Sequence, residues 1–233
     1  MRGVEQVLRR ATGSRRRWLL IIGCVLVCLA VSVAITASIN PAERTVMTVT
    51  APAQSVMSVL VPLIGVLSVA DLRRLPGRPD VLSVLVASVL VAAVVALVGQ
   101  LAAVVPVLVA STAPGRWAHL FALTIGCVLV QCVAVLTGTG FGGLFRSRAL
   151  AFIATVVIPL ALWWLLGLTH GLEAGRGWLT PYESARRLLA DAMTPATWLQ
   201  FCVMVLVWTG GLNALGARRL RRAASASDGP ATR

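Results

Sequence analysis

The chain has 233 residues, of which 58% are hydrophobic and 12% are charged, and its formal net charge is +13. It contains stretches of about 20 apolar residues, which are long enough to cross the hydrocarbon core of a bilayer, so the composition excludes a soluble globular domain. The cations flank these stretches, where the positive-inside rule explains them, and the charge therefore does not indicate a nucleic-acid-binding protein.

The apolar pattern predicts an all-α, polytopic membrane protein with six transmembrane helices. A basic segment, 1–17, precedes a transmembrane domain, 18–217, and a basic, disordered, cytoplasmic tail follows over 218–233. We predict the spans at about 18–37, 55–70, 81–105, 117–137, 149–168 and 198–217. An even number of spans places both termini on the same side of the membrane.

The arginines decide which side that is. All 21 basic residues are Arg, and 16 of them fall in 2–17, 73–78, 146–148 and 218–233. The other gaps between spans hold the remaining five: Arg44, Arg116, Arg176, Arg186 and Arg187. By the positive-inside rule, both termini are expected in the cytoplasm and the protein in the plasma membrane.

The segment before the first span has an amphipathic pattern. Val4, Val7, Leu8 and Ala11 recur at helical spacing with charged residues between them, which predicts a short helix lying in the membrane interface. The alternative is a disordered basic leader. A cleaved signal peptide is not favoured, because the apolar run is long and lacks a clear small-residue cleavage site.

Two spans have unusual lengths. The second run, 55–70, is short, although Val46 to Val49 could extend it through Pro52. The third is long, since Val81 to Ala110 is uncharged and would measure about 45 Å as a helix. We interpret it as one tilted helix that bends near Pro106, since it is too short for two spans.

The middle of each span lacks charged residues, so the sequence contains no evident proton relay. Neutral polar residues lie there instead, and such residues usually bond neighbouring helices; they are Ser58, Gln100, Thr124, Gln131, Thr155 and Asn213. No span carboxylate could pair with His119 or His170, so we predict no enzyme and no catalytic residue. Cys24 and Cys28 share a helix face but lack a His or carboxylate at their depth, so no metal site is predicted.

Residues 138–143 are rich in glycine and contain G-x-G-x-x-G. This motif binds dinucleotides when it follows a strand, but here it follows a predicted membrane helix. We therefore expect these glycines to end the fourth span and to turn the backbone before Arg146. The chain has no Lys for a Walker A loop, so any ATP that drives it must bind another subunit.

The long segment 169–197 predicts an outer helix between the fifth and sixth spans. Thr180, Pro181 and Glu183 form a capping-box pattern that begins a helix from about Pro181 to Met193. Its apolar face would carry Tyr182, Ala185, Leu189 and Ala192, opposite Glu183, Arg187 and Asp191. Thr194 and Pro195 repeat the same start for the last span.

This architecture resembles the permease subunits of ABC-2-type exporters, which share their membrane fold with the ABCG half-transporters. The resemblance covers nearly the whole chain and is clearest at Val69 to Arg74, at Gly140 to Ala151 and at Leu215 to Arg222. At Leu75 to Pro79 the sequence departs from the Gly-Thr-containing stretch of the family.

The resemblance implies the membrane-spanning subunit of an ATP-driven exporter. It would pair with a second copy or a sister permease and dock on a separate ATP-binding cassette ATPase, which holds ATP and Mg, so this chain needs no cofactor of its own. Coupling to the ATPase is assigned to the turn residues Asp71, Leu72, Arg73, Arg74, Leu75 and Arg78, within 71–80. The substrate path is assigned to Ser58, Pro62, Thr155 and Trp163.

A path without fixed charge suits hydrophobic or amphiphilic cargo, such as drugs, antibiotics or lipids. The alternative is a non-transporting integral membrane protein with the same fold, an immunity or assembly factor that binds no cassette. The sequence leaves the cargo open, and also the choice between homodimer and heterodimer.

Overall fold

The computed structural model describes residues 15–72, 81–169 and 171–227, and every regular element in these ranges is helical. Short 3₁₀-helices lie at Pro41–Glu43 and Glu173–Gly175, and Leu206–Gly211 is π-helical. In chain order the α-helices are α1 (Arg15–Ser38), α2 (Val46–Leu60), α3 (Pro62–Leu72), α4 (Val81–Ala110), α5 (Leu120–Leu144), α6 (Arg148–Leu168), α7 (Arg176–Leu179), α8 (Pro181–Leu189), α9 (Pro195–Val205) and α10 (Leu212–Ser227).

Within the described ranges, six helical segments are long and apolar enough to cross a membrane, so the predicted class, an all-α polytopic membrane protein, is confirmed. Spans 1 to 6 are Arg17–Ser38, Val46–Leu72, Val81–Ala110, Leu120–Leu144, Arg148–Leu168 and Pro195–Arg222. Consecutive spans cross in opposite directions. One end of the bundle therefore carries Arg17, Arg148 and Arg222, and we call it the basic end; the opposite end, with 39–45, 111–119 and 169–194, is the loop end.

Span 2 is longer than the predicted core of 55–70. It begins at Val46, where Thr45 and Thr48 form a reciprocal capping box, and it continues past Pro52. The helix is interrupted only around Val61, because Pro62 has no N–H for the helical ladder. Span 3 is one unbroken helix, as predicted, with Pro106 inside it.

The prediction that residues 138–143 end span 4 is wrong, because the helix continues to Leu144. A Cβ on Gly138 would lie 2.2 Å from the Pro62 carbonyl oxygen, and one on Gly65 would lie 2.2 Å from the Val135 carbonyl oxygen. Real Cβ atoms do not approach backbone so closely, so the glycines let spans 2 and 4 pack with their backbones in contact. These glycines are therefore explained by close packing between two helices and do not mark a turn.

The glycines on the other side of the same stretch contact span 6. A Cβ on Gly143 would lie 2.9 Å from the Gly216 Cα, and one on Gly140 would lie 2.6 Å from the Leu212 Cβ. Asn213 reinforces this contact, since its Nδ2 donates to the Leu136 carbonyl at 2.8 Å while its Oδ1 accepts from Thr139 Oγ1 at 2.8 Å. Span 4 is therefore held between spans 2 and 6.

The outer helix exists, but it differs from the prediction. It begins at Pro181 after the N-cap residue Thr180, yet Thr180 makes no capping bond, and its hydroxyl donates to the Arg176 carbonyl at 2.7 Å. It ends at Leu189 rather than at Met193. The face assignment is also wrong, because Glu183 is 6% exposed whereas Tyr182 is 48% exposed. Pairing with arginines, described below, allows the carboxylate to be buried.

The two ends of the chain fall partly outside the described residues. The predicted interfacial helix over 1–17 lies outside them except for 15–17, which begin α1. At the other end, α10 continues to Ser227, so the predicted disordered tail is helical over 218–227. Ala, Leu and Arg are strong helix formers and extend span 6 beyond its apolar part. The predicted start of span 6 is confirmed, with Thr194 and Thr197 in a capping box.

Candidate functional site

A cavity of about 330 Å³ lies among spans 2, 4, 5 and 6 and beneath α8. Pockets that bind small molecules measure roughly 300 to 1,000 Å³, so this cavity is large enough for a small ligand or one hydrocarbon chain. It is lined by Ser55, Ser58, Val59, Pro62, Val130, Val133, Ala134, Thr137, Thr155, Val156, Pro159, Leu160, Pro181, Tyr182, Ala185, Arg186, Leu188, Phe201 and Met204. Most of these side chains are apolar.

Three of the four residues assigned to the substrate path lie in this lining. Ser58 and Pro62 come from span 2, and Thr155 comes from span 5 across the cavity. Span 4, which carries no residue that was assigned to the path, adds Val133 and Thr137 to the same lining. The structure thus brings residues nearly 100 positions apart in sequence to one cavity.

The serine and threonine hydroxyls in the lining already donate their hydrogens to backbone carbonyls. Ser58 Oγ donates to the Ser55 carbonyl at 2.7 Å, Thr137 Oγ1 to Val133 at 2.9 Å, and Thr155 Oγ1 to Phe152 at 2.6 Å. A hydroxyl oxygen that donates within its own helix keeps lone pairs with which it can accept a hydrogen bond. Within the membrane, the cavity wall is therefore apolar with a few hydrogen-bond acceptors.

Two prolines add to this acceptor character. Pro62 and Pro159 have no N–H to offer the carbonyls of Ser58 and Thr155, which lie four residues earlier, and all four residues line the cavity. Such carbonyls within a membrane need a neighbouring helix, a side chain, water or a ligand as their donor.

An ion-pair cluster on α8 lies at the loop-end side of the cavity. The same carboxylate oxygen of Glu183, Oε1, accepts from Arg186 at 2.9 Å and from Arg187 at 3.1 Å. Arg187 also donates to Gln200 Oε1 of span 6 at 2.8 Å. Burial by itself would raise the pKa of the Glu183 carboxyl, but the hydrogen bonds and charges of the two arginines outweigh it and lower the pKa below its ordinary value.

Trp163, the fourth residue assigned to the path, packs beside the cavity rather than in its lining. Its ring centroid lies 5.2 Å from that of Tyr182, which does line the cavity. Arg176 lies over the indole, 4.3 Å from its centroid, and donates to the Trp163 carbonyl at 3.1 Å. Trp163 thus anchors the segment that leads into α8.

The predicted coupling turn is described only at its first two residues. Asp71 accepts a hydrogen bond of 2.6 Å from Arg17, and Leu72 is 7% exposed and packs within the chain. Arg73, Arg74, Leu75 and Arg78 lie outside the described residues.

A second polar cluster crosses spans 2, 3 and 4, and we did not single out its central residue from the sequence. Gln54 is fully buried, donates to Gln100 Oε1 at 3.4 Å, and accepts from Gln131 Nε2 at 3.1 Å. Cys127 also donates to Gln100 Oε1, at 3.4 Å. Among the described residues, Gln100 Nε2 and Gln131 Oε1 find no partner. A Gln inside an apolar run was the signal available for Gln54.

These contacts agree with the expectation that neutral polar residues bond neighbouring helices, at Gln100, Gln131 and Asn213. Thr124 instead donates to the Leu120 carbonyl of its own helix, at 2.7 Å. The glutamine cluster is therefore an internal tie among three spans. The cavity is the stronger candidate site, because it has room for a ligand. No known family model matches this chain, and a search of curated proteins also finds no match.

Proposed function

We propose that this chain is the membrane-spanning subunit of an ATP-driven exporter of the ABC-2 type and that its cavity holds the hydrophobic or amphiphilic cargo. The observation that carries the proposal is the cavity itself, with its apolar wall between spans 2, 4 and 5. Its acceptors suit a neutral or weakly polar molecule, and no charged side chain lies in the middle of a span where a coupling ion would bind.

ATP would act through a separate cassette ATPase at the basic end of the bundle, which we assign to the cytoplasmic side of the plasma membrane because of its arginines. The segment 71–80 is the proposed contact. Arg17 at the start of span 1 is paired with Asp71 at the end of span 2. A displacement of this segment by the ATPase would therefore be transmitted to spans 1 and 2 together.

The cavity can be tested by filling it. Val156 lines the cavity, whereas the neighbouring Val157 is 53% exposed on the surface of span 5. Val156→Trp should block ATP-dependent uptake into inverted vesicles that also contain the candidate ATPase, and Val157→Trp should not. The probes are three fluorescent amphiphiles, one neutral, one anionic and one cationic. Absence of ATP-dependent uptake of all three, or equal uptake by both variants, would overturn the proposal.

The docking segment has its own test. Changing Arg73, Arg74 and Arg78 together to Glu should abolish co-purification with the cassette ATPase that is recovered with the unaltered chain. The matched control changes Arg146 and Arg148, at the same end of the bundle, to Glu. Undiminished binding after the first set of changes would contradict the assignment of 71–80.

One observation favours the alternative of a non-transporting protein. Asp71 and Leu72, the described part of the docking segment, are both engaged within the chain. An immunity or assembly factor would bind no cassette, so failure to recover any ATPase with the unaltered chain would support it. Uptake that requires ATP would exclude it.

A further inference from the structure

The arginines at the loop end differ in how they are held. Arg44 donates to the Ile39 and Ala110 carbonyls, both at 2.9 Å, and so caps the ends of spans 1 and 3. Arg116 donates to the Ser111 carbonyl at 2.8 Å, and Arg176 lies against Trp163. Arg187 bridges Glu183 and Gln200. Each of these four arginines makes a contact that stabilises the structure, which explains its presence at the loop end.

Arg186 is the exception. It is the exposed one of the five, its side chain is 66% accessible, and it lines the cavity. Its one hydrogen bond among the described contacts goes to Glu183 Oε1, the oxygen that Arg187 also holds. Arg187 holds the same carboxylate oxygen, so pairing with Glu183 does not by itself require a second guanidinium at the cavity.

The cluster has an excess of one positive charge, since two arginines share one carboxylate. Arg186 can therefore turn to another anion while Arg187 keeps the buried Glu183 carboxylate paired. Burying an unpaired carboxylate would be costly, and the second arginine removes that cost. A guanidinium also matches the geometry of a carboxylate, which it can bind through two N–H groups.

We propose that the cavity takes a single-chain amphiphile with an acidic head group, whose head is bound by Arg186 and whose tail lies among spans 2, 4, 5 and 6. The volume of about 330 Å³ accommodates one hydrocarbon chain. Apolar side chains such as Val133, Val156 and Met204 would contact the tail. This inference rests on the proposed function and narrows its cargo.

The test uses the full chain in nanodiscs of neutral phosphatidylcholine. The probes are decanoic acid with a terminal diazirine and the methyl ester of the same compound, which has the same tail without the charge. Saturable photolabelling of span 5 and α8 peptides gives an apparent Kd for each. We expect Arg186→Gln to weaken labelling by the acid about tenfold and to leave labelling by the ester unchanged.

Arg116→Gln is the matched control, because it removes the same charge from the loop end at a residue that does not line the cavity and does not contact Glu183, and it should change the acid's Kd less than twofold. Arg186→Lys should recover part of the affinity. Melting temperatures in detergent establish that each variant is folded. Equal loss for both glutamine variants would overturn the role of Arg186 as the determinant of specificity.

The outcomes separate this inference from the proposed function. Saturable labelling by acid and ester with equal Kd would keep the cavity as a cargo site but overturn the acidic head group. If neither the acid nor the ester labels the cavity saturably, the acidic head group and the cavity as a site for this class of cargo are both overturned. Competition by phosphatidylglycerol as strong as by unlabelled decanoate would assign the site to a membrane lipid and overturn the single-chain ligand.

Discussion

Arg17 donates a hydrogen bond of 2.6 Å to Asp71 and so ties the first turn of span 1 to the last turn of span 2. The two partners are unequally buried, with side chains 10% and 50% exposed. Loss of the ion pair is therefore more costly for the buried guanidinium than for the half-exposed carboxylate. Asp71 is the first residue of the segment 71–80, where we propose that the ATPase docks.

We predict that Asp71→Asn destabilises the protein more than Arg17→Gln does. The first change leaves a mostly buried guanidinium without its anion, at a cost of about 1–2 kcal/mol, whereas the second leaves an aspartate that water can reach. Melting temperatures of the two variants in the same detergent measure the difference. Equal losses would show that the inequality in burial has no energetic consequence.

Substitution of the interface glycines should be destabilising in proportion to their backbone contacts. We expect Gly138→Ala to cost about 1–3 kcal/mol, because its new methyl group must displace the Pro62 backbone. Gly23→Ala is the control, since nothing lies within 4 Å of a Cβ at that position of span 1. It should be neutral or slightly stabilising in thermal unfolding. A loss at Gly23 equal to that at Gly138 would contradict the packing argument.

The glutamine cluster predicts a non-additive effect. Gln54→Met should be destabilising by roughly 1 kcal/mol, because Gln100 and Gln131 lose their hydrogen bonds to the Gln54 side chain, and Gln131 keeps only its bond to the Gln54 backbone carbonyl. Changing Gln54, Gln100 and Gln131 together to Met should cost less than the single change, since no amide then remains unpaired. The measurement is thermal unfolding of both variants. A triple variant that loses the sum of three single losses would refute the network.

Glu183 predicts a dependence of stability on pH. Its pKa is lowered in the folded state, so its stabilising contribution is full above the ordinary carboxyl value of 4.5 and is lost as pH falls through the folded pKa. As the pH falls from 5 to 3, the melting temperature of the unaltered protein should fall more than that of Glu183→Gln. The difference between the two curves isolates this group from the other carboxylates. Parallel curves would contradict the pairing with Arg186 and Arg187.

The orientation of the bundle can be checked with single cysteines. Glu173→Cys at the loop end should react with a membrane-impermeant maleimide added to intact cells, and Arg146→Cys at the basic end should react only after permeabilisation. Both positions are exposed, and both variants also carry Cys132→Ser and Cys202→Ser, because these two native cysteines are not buried, whereas Cys24, Cys28 and Cys127 are. The reverse pattern would invert the topology.

The spans were predictable because long apolar runs bounded by arginines have one physical explanation in a membrane protein. The predictions that were wrong concern sequence patterns that are compatible with two different structures. Glycines can end a helix or let two helices approach, and the choice at 138–143 depends on Pro62 and Gly216, which are far away in sequence. In the same way, Glu183 has the spacing of a capping residue, but two nearby arginines compete for its carboxylate.

The candidate site was only partly accessible to sequence reasoning. Ser58, Pro62 and Thr155 were assigned to a path through the resemblance, and the structure places them in one cavity lining. The residues that complete the cavity from span 4 and α8 carry no such signal. No feature of the sequence indicates that Arg186, and not the adjacent Arg187, lines the cavity. The structure separates them, because Arg186 lines the cavity whereas Arg187 donates to Gln200.

The glycine contact between spans 2 and 4 limits how the bundle can deform. Two helices whose backbones touch cannot move closer together, and separating them would open a void along Gly65 and Gly138. Spans 2 and 4 therefore form a fixed wall, and α8 is held against it, since a Cβ on Gly126 of span 4 would lie 2.9 Å from the Leu188 carbonyl oxygen of α8. A cargo molecule that needs a wider cavity would therefore have to displace span 5 or span 6.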